Sequence, residues 1–154
     1  MTNIHSFIRN ADTESLAQAL VQNPELVHQA DPRGFTPLIL ATYLGQEEAM
    51  KVLLDHGADI DKQDASGNTA LMGVAFKGAK EIAEILVDRG ANVNLQNTQG
   101  ATALNFAATY GHKELVQYLL ANGADASIRD EKGQTAKDYA RIQGNQELVE
   151  LLGT

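Results

Sequence analysis

Residues 31–38 read D-P-R-G-F-T-P-L, residues 64–71 read D-A-S-G-N-T-A-L, and residues 97–104 read N-T-Q-G-A-T-A-L. The interval is 33 residues each time, and it runs through the rest of the chain. Gly34, Gly67, Gly100 and Gly133 keep it, as do Thr36, Thr69, Thr102 and Thr135. Gly45, Gly78, Gly111 and Gly144 form a third register, and Leu53, Leu86, Leu119 and Leu152 a fourth. One globular core gives no reason for identical residues at equal spacing. A stack of equal supersecondary units does, because each unit presents the same faces to its neighbours.

Each unit can be read physically. Thr36 before Pro37 is a helix N-cap followed by proline at the first helical position. Thr69 and Thr102 repeat the cap with alanine in place of the proline. The first helix ends at Gly45, Gly78 or Gly111, where glycine adopts a left-handed conformation without steric penalty. A second helix follows, for example Lys113–Ala121, whose Leu115, Val116, Leu119 and Leu120 make one buried stripe. Gly123 closes that helix, and the turn residues from Gly123 to Gly133 predict an extended, hairpin-like connection. Ala41, Ala107 and Ala108 fall mid-way along the first helices, where short side chains let neighbouring helices approach. Gly73, poor in a helix interior, reads as a packing concession, with a hinge as the alternative.

The shared elements, D/N-x-x-G-x-T-[PA]-L, then G-x-x-E, then L-[LV]-x-x-G-A-[DN], closely resemble the ankyrin repeat over residues 31–129. The resemblance implies an all-α solenoid of helix-turn-helix units joined by hairpin-like loops, with capping repeats at both ends. The predicted division of a single domain over residues 1–154 is an N-cap unit at 1–30, full repeats at 31–63, 64–96 and 97–129, and a C-cap unit at 130–154. The C-cap keeps the register, but Lys137 stands where the other units have Leu38, Leu71 and Leu104, and Arg141 replaces a small residue. The N-cap lacks the T-P-L opening, yet offers helical patterns at about 3–10 and 13–22, after which Asn23-Pro24-Glu25 ends the second helix. The expectation is ten helices in five antiparallel pairs, with no sheet running across the units.

Composition bounds the function. The net charge is −8 and the 12 Lys and Arg residues are scattered, which speaks against nucleic acid as a partner. There is no cysteine, hence no disulfide framework and no thiolate chemistry, and a cytoplasmic setting is permitted. No apolar run approaches the ~20 residues of a membrane span, and no secretory h-region follows Met1. His5, His28, His56 and His112 lie without partners at metal-ligand spacing, and His112 occupies a position that is commonly structural in ankyrin sequences. Glu48, Glu81, Glu114 and Glu147 recur in register on the second helices, as a solvated outer face would. No serine sits in a G-x-S-x-G elbow and there is no Walker-type loop, so no catalytic, metal or cofactor site is expected.

The resemblance implies a partner surface instead: the concave face made of hairpin tips and the exposed side of the first helices. The candidate partner-binding residues there are Arg33, Phe35, Tyr43, Leu44, Phe76, Lys77, Thr109 and Tyr110, which occupy positions that vary between repeats. Phe35, Tyr43, Phe76 and Tyr110 are half of the chain's eight Phe and Tyr residues, and aromatic side chains are enriched at binding hot spots. Phe35 and Tyr43 are expected to be exposed, while Phe76 could equally fill a gap between first helices. The implied role is to bind an unidentified protein as a monomer; a small-molecule or enzymatic role is the alternative, for which the sequence offers no site.

Overall fold

The computed structural model describes residues 3–153. Met1, Thr2 and Thr154, which stand at the ends of the predicted units, lie outside the described residues. Ten α-helices and no strand occur among the described residues: α1 Ile4–Arg9, α2 Thr13–Gln22, α3 Pro37–Tyr43, α4 Glu47–Asp55, α5 Ala70–Lys77, α6 Lys80–Asp88, α7 Ala103–Thr109, α8 Lys113–Ala121, α9 Ala136–Ile142 and α10 Gln146–Leu152. They pack in consecutive pairs, and the first helices of the full and final units stack in the order α3, α5, α7, α9. One element was not anticipated. Pro24–His28, expected only to end α2, forms a 3-10 helix that buries Val27 against the core.

Local chemistry accounts for the boundaries. Thr36, Thr69, Thr102 and Thr135 have extended backbones, and each Oγ1 accepts the N–H three residues on. These bonds satisfy one of the orphan donors of the first turn. Thr102 and Thr135 go further, because Asn105 and Asp138 reach back to the cap N–H and complete a capping box. At the other end Gly45, Gly78 and Gly111 have φ of +70°, +80° and +73°, so a residue with Cβ would be strained there.

The core is a column rather than a sphere. Ala41, Ala75, Ala107, Ala108 and Ala140 are fully buried along the first helices, where methyl groups set the close spacing. Leu53, Leu86, Leu119 and Leu152 are buried on the second helices, while Glu48, Glu81, Glu114 and Glu147 face solvent. Leu120, assigned to the buried stripe from its spacing, is only half-buried. Leu38, Leu71 and Leu104 are buried, whereas Lys137 in the same register is half-exposed and Arg141 is exposed. That substitution is physically consistent, since α9 has no following first helix among the described residues to cover it.

Gly73 corrects the sequence reading. A Cβ built there meets nothing within 4 Å, and its φ is not positive. Neither packing nor backbone geometry calls for glycine at that position. Gly67 is the opposite case. Its φ is +79°, and a Cβ would lie 2.6 Å from the Thr98 nitrogen in the next hairpin.

Gly67→Ala is therefore expected to lose about 1–2 kcal/mol from the left-handed backbone alone, with a further loss from the backbone clash. Gly73→Ala is expected to gain up to about 1 kcal/mol from helix propensity. Urea denaturation of the two variants would show opposite shifts of midpoint. Deleting residues 130–154 should bare Ala107, Leu115 and Leu119, each leucine forfeiting about 1.5–3 kcal/mol of burial if fully exposed. Lower melting temperature and concentration-dependent self-association, read by light scattering, are the expected outcome.

Candidate functional site

Six large apolar side chains are exposed among the described residues: Val21, Tyr43, Leu44, Phe76, Tyr110 and Ile142. Five of these six lie at the C-terminal ends of first helices, at the two positions before a mid-unit glycine. Tyr43, Phe76 and Ile142 share one register position, and Leu44 and Tyr110 share the next. The strip exists because those positions lie in or just after the last turn of each first helix, where the stack imposes no burial. Tyr43, Phe76 and Tyr110 are 55%, 49% and 52% exposed.

Neighbouring units connect the strip. The Phe76 and Tyr110 rings meet edge to face with centroids 4.7 Å apart, the geometry aromatic quadrupoles favour. The Lys77 ammonium lies 3.8 Å from the centroid of the Tyr43 ring and donates to the Tyr43 carbonyl oxygen. The cation is attracted both to the ring face and to the helix C-terminus there. At the first hairpin tip the Arg33 guanidinium lies 4.5 Å from the Phe35 ring centroid and pairs with Asp31 at 3.4 Å.

The structure brings seven of the eight predicted residues to one side of the stack in two groups. Tyr43, Leu44, Phe76, Lys77 and Tyr110 form the strip, and Arg33 with Phe35 marks its hairpin edge. Phe35 departs from expectation: it is half-buried, packed against the core, and its carbonyl oxygen accepts from buried His5 Nε2 at 3.0 Å. Phe76 is exposed rather than a gap-filler. Thr109 is turned inward by its own chemistry, donating to the Asn105 carbonyl oxygen at 2.7 Å.

Two depressions adjoin the strip. The first, about 190 Å³, is lined by Phe35, Ile39, Tyr43, Met72, Gly73, Phe76 and Phe106 among others. The second, about 180 Å³, is more polar and lies at Asn105, Thr109, Tyr110, Asp130, Lys132 and Tyr139; it shares Phe106 with the first. Phe106, Gly73, Tyr139 and Ile142 were not singled out as site residues from the sequence. Ile142 could have been, since it keeps the register of Tyr43 and Phe76. Phe106 and Tyr139 share a register position with Leu40 and Gly73, inside the first helices rather than at their ends, so the variation before the mid-unit glycines did not point to them.

The second depression contains the strongest perturbation in the chain. Burial pushes the Asp130 carboxyl up, but hydrogen bonds from the Tyr139 hydroxyl and the Gln134 and Lys132 backbone N–H groups outweigh it and hold it below the usual range. The Tyr139 phenol is pushed up to about 12, first by donating to Asp130 and then by burial and the charges of Asp130 and Glu131. This pair fastens a turn to a helix. His112, as expected for a structural residue, donates through Nε2 to the Phe76 carbonyl oxygen at 3.0 Å, tying one unit to the next.

A family model described as ankyrin repeats (3 copies) matches residues 4–97 and 71–153. Human DNA-binding protein RFXANK is 39% identical over 57 residues, 37% of this chain and 22% of that protein. Ankyrin repeat domain-containing protein 13B, from mouse and from human, is 57% identical over 37 residues, 24% of this chain and 6% of that protein. The similarity therefore spans less than a quarter of the length of these curated relatives.

The Asp130–Tyr139 pair has a pH consequence. Asp130's folded pKa is depressed, so its stabilisation is present above its ordinary value of 3.8 and is lost as pH falls through the folded value. Tyr139's folded pKa is raised, so its stabilisation is full below its ordinary 10.0 and lost as pH rises through about 12. Tyr139→Phe should lower the melting temperature at neutral pH and narrow the drop between about pH 5 and pH 3. Thermal melts of both proteins across that window check it; equal drops would remove the pair from the acid response.

Proposed function

The chain belongs to the ankyrin repeat family, and on that premise we propose that it is a non-catalytic module that binds another protein through the strip Tyr43, Leu44, Phe76, Lys77 and Tyr110 on a concave face. Ankyrin repeats are generally protein–protein interaction modules and generally non-catalytic. The proposed organisation is one domain of five units divided at residues 30, 63, 96 and 129, with Arg33, Phe35 and Thr109 at the margin of the binding strip.

The observation that carries this reading is the segregation of exposed apolar side chains. Were they scattered singly they would need no explanation. Instead five of six gather on one edge, at positions that the stack leaves free to vary. A contiguous exposed apolar patch on a soluble chain marks an interaction surface, and aromatic residues with a central, packed position dominate binding energy. The edge-to-face contact of Phe76 with Tyr110 and the Lys77–Tyr43 stack hold these rings in place before any partner arrives, which reduces the entropy lost on binding.

Protein is proposed over nucleic acid because the charge is −8 and the cations on this face are few. RFXANK is described as DNA-binding, but the similarity covers 57 residues of it and transfers no such property. No helix among the described residues is long and apolar enough to cross a membrane. A cytoplasmic, monomeric protein is the proposed setting; with no cysteine, the chain has no disulfide for a reducing compartment to break.

Affinity capture with the intact chain, followed by binding measurements on the partner recovered, tests the proposal. Tyr43→Ala and Tyr110→Ala should each cost at least about 2 kcal/mol of binding, roughly 30-fold in affinity, with melting temperatures within a few degrees of the parent. Charge reversal at Glu48, Glu81 and Glu114 should matter much less. Glutamates that prove essential beside dispensable aromatics would move the site to the outer helices.

A further inference from the structure

Gly73 is the one residue of the first helices for which the fold gives no reason. Its φ is not positive, so no left-handed turn requires glycine. No atom lies within 4 Å of where its Cβ would be, so no neighbour requires it either. In a helix interior glycine is less favourable than alanine. What the missing side chain leaves is space, the depression walled by Phe35, Ile39, Tyr43, Phe76 and Phe106. Resting on the reading of this face as the partner site, we propose that the notch over Gly73 is the anchor pocket for one bulky apolar side chain (leucine, methionine or phenylalanine) of an extended, uncharged segment of the partner protein.

Size argues for a side chain. At about 190 Å³ the notch is smaller than the roughly 300–1,000 Å³ of sites that take drug-sized molecules. Its walls are mostly aromatic and aliphatic, with Asp64, Asn68 and Thr69 as the polar part, which suits a group that gives up chiefly apolar surface to enter.

Charge argues for a neutral segment. Across the hairpin and first-helix segments 31–46, 64–79, 97–112 and 130–145, Arg33, Lys77, Lys132, Lys137 and Arg141 balance Asp31, Asp64, Asp130, Glu131 and Asp138. The excess of −8 thus lies wholly on the other segments, among them the second helices. Beside the notch, Asp64 Oδ1 accepts from the Ser66 and Asn68 N–H groups, and the Lys77 ammonium lies on Tyr43. A carboxylate entering there would lose hydration beside the like-charged Asp64, and the acidic remainder repels a carboxylate-rich segment at longer range.

A second observation, independent of Gly73, points to an extended backbone. Asn105 is 3% exposed, and its Oδ1 accepts from the Thr102 N–H and hydroxyl. Its Nδ2 is buried and has no hydrogen-bond partner among the described residues. A buried donor left unpaired is unfavourable. Asn105 lines the adjoining depression, which shares Phe106 with the notch. A partner chain seated over Gly73 and continuing past Phe106 presents backbone carbonyl oxygens, the acceptor that Nδ2 lacks.

Selection of random dodecapeptides displayed on phage against the intact chain tests this, with Gly73→Ala, Gly73→Leu and Tyr110→Ala as comparison proteins. Thermal melts establish that each variant is folded, and Gly73→Ala supplies a graded arm with no steric conflict. The expected peptides share one Leu, Met or Phe at a fixed place and carry little net charge. They should bind Gly73→Leu about 30-fold more weakly than the parent, as for loss of one anchor, and Gly73→Ala to an intermediate degree. Peptides equally tight on Gly73→Leu but weakened by Tyr110→Ala overturn the notch and leave the aromatic strip standing. Peptides indifferent to all three variants overturn both, and a library without enrichment overturns the notch.

Discussion

The stack depends on how closely one hairpin turn lies against the next. At Gly67 a Cβ would come within 2.6 Å of the Thr98 nitrogen, and at Gly100 within 3.0 Å of the Glu131 nitrogen. The same glycines hold φ near +80°, so both sterics and backbone conformation exclude a side chain. That approach lets Thr98 N–H reach the Ser66 carbonyl oxygen at 3.1 Å and Glu131 N–H reach that of Gln99 at 2.9 Å. Gln63 Nε2 then spans the Gly67 and Gln96 carbonyl oxygens, and Gln96 Nε2 those of Gly100 and Arg129. Once adjacent turns are locked at this distance, the helices rising from them are equally spaced. Small groups then fill the contact between first helices, Ala41, Val74, Ala107 and Ala140 being buried at one register position.

That constraint explains why so much of the fold was legible in the sequence. A contact repeated between equal units imposes equal residues at equal spacing, and the boundaries of α3, α5, α7 and α9 are fixed locally by a threonine cap and a left-handed glycine. The helix predicted at 13–22 is the helix observed. What was not legible depends on contacts with no periodic partner. No residue of Pro24–His28 recurs 33 positions on, so its 3-10 turn left no mark beyond the helix-ending proline. Gln63 and Gln96 do recur, but their role is visible only when the next turn is in place.

The same logic divides the candidate site. Tyr43, Phe76 and Tyr110 could be found because they vary where the fold is indifferent, and exposure at those positions follows from the helix ending there. Phe35 was misjudged because its surroundings come from elsewhere in the chain: His5, thirty residues away, bonds its carbonyl, and Ile39, Met72 and Phe106 share its depression. Gly73 was misread for the reciprocal reason. A glycine in a helix suggests a close neighbour, and only the assembled stack shows open space in its place.

Cohesion and exposed apolar surface are thereby carried by different atoms. The ladders of turns, caps and small buried residues hold the array, and the outer helices contribute exposed pairs such as Lys51 with Glu48 and Arg89 with Asp55. Pairs that exposed are each worth about 0–1 kcal/mol, so the outer face adds solubility more than cohesion. The strip along Tyr43, Phe76, Tyr110 and Ile142 belongs to neither system, since none of these side chains is needed to close a turn or fill the column. Substitutions there forfeit contacts such as Phe76 with Tyr110 but leave the turn ladders and the buried column intact, which is the physical condition for a repeat stack to change its exposed face without changing how it folds.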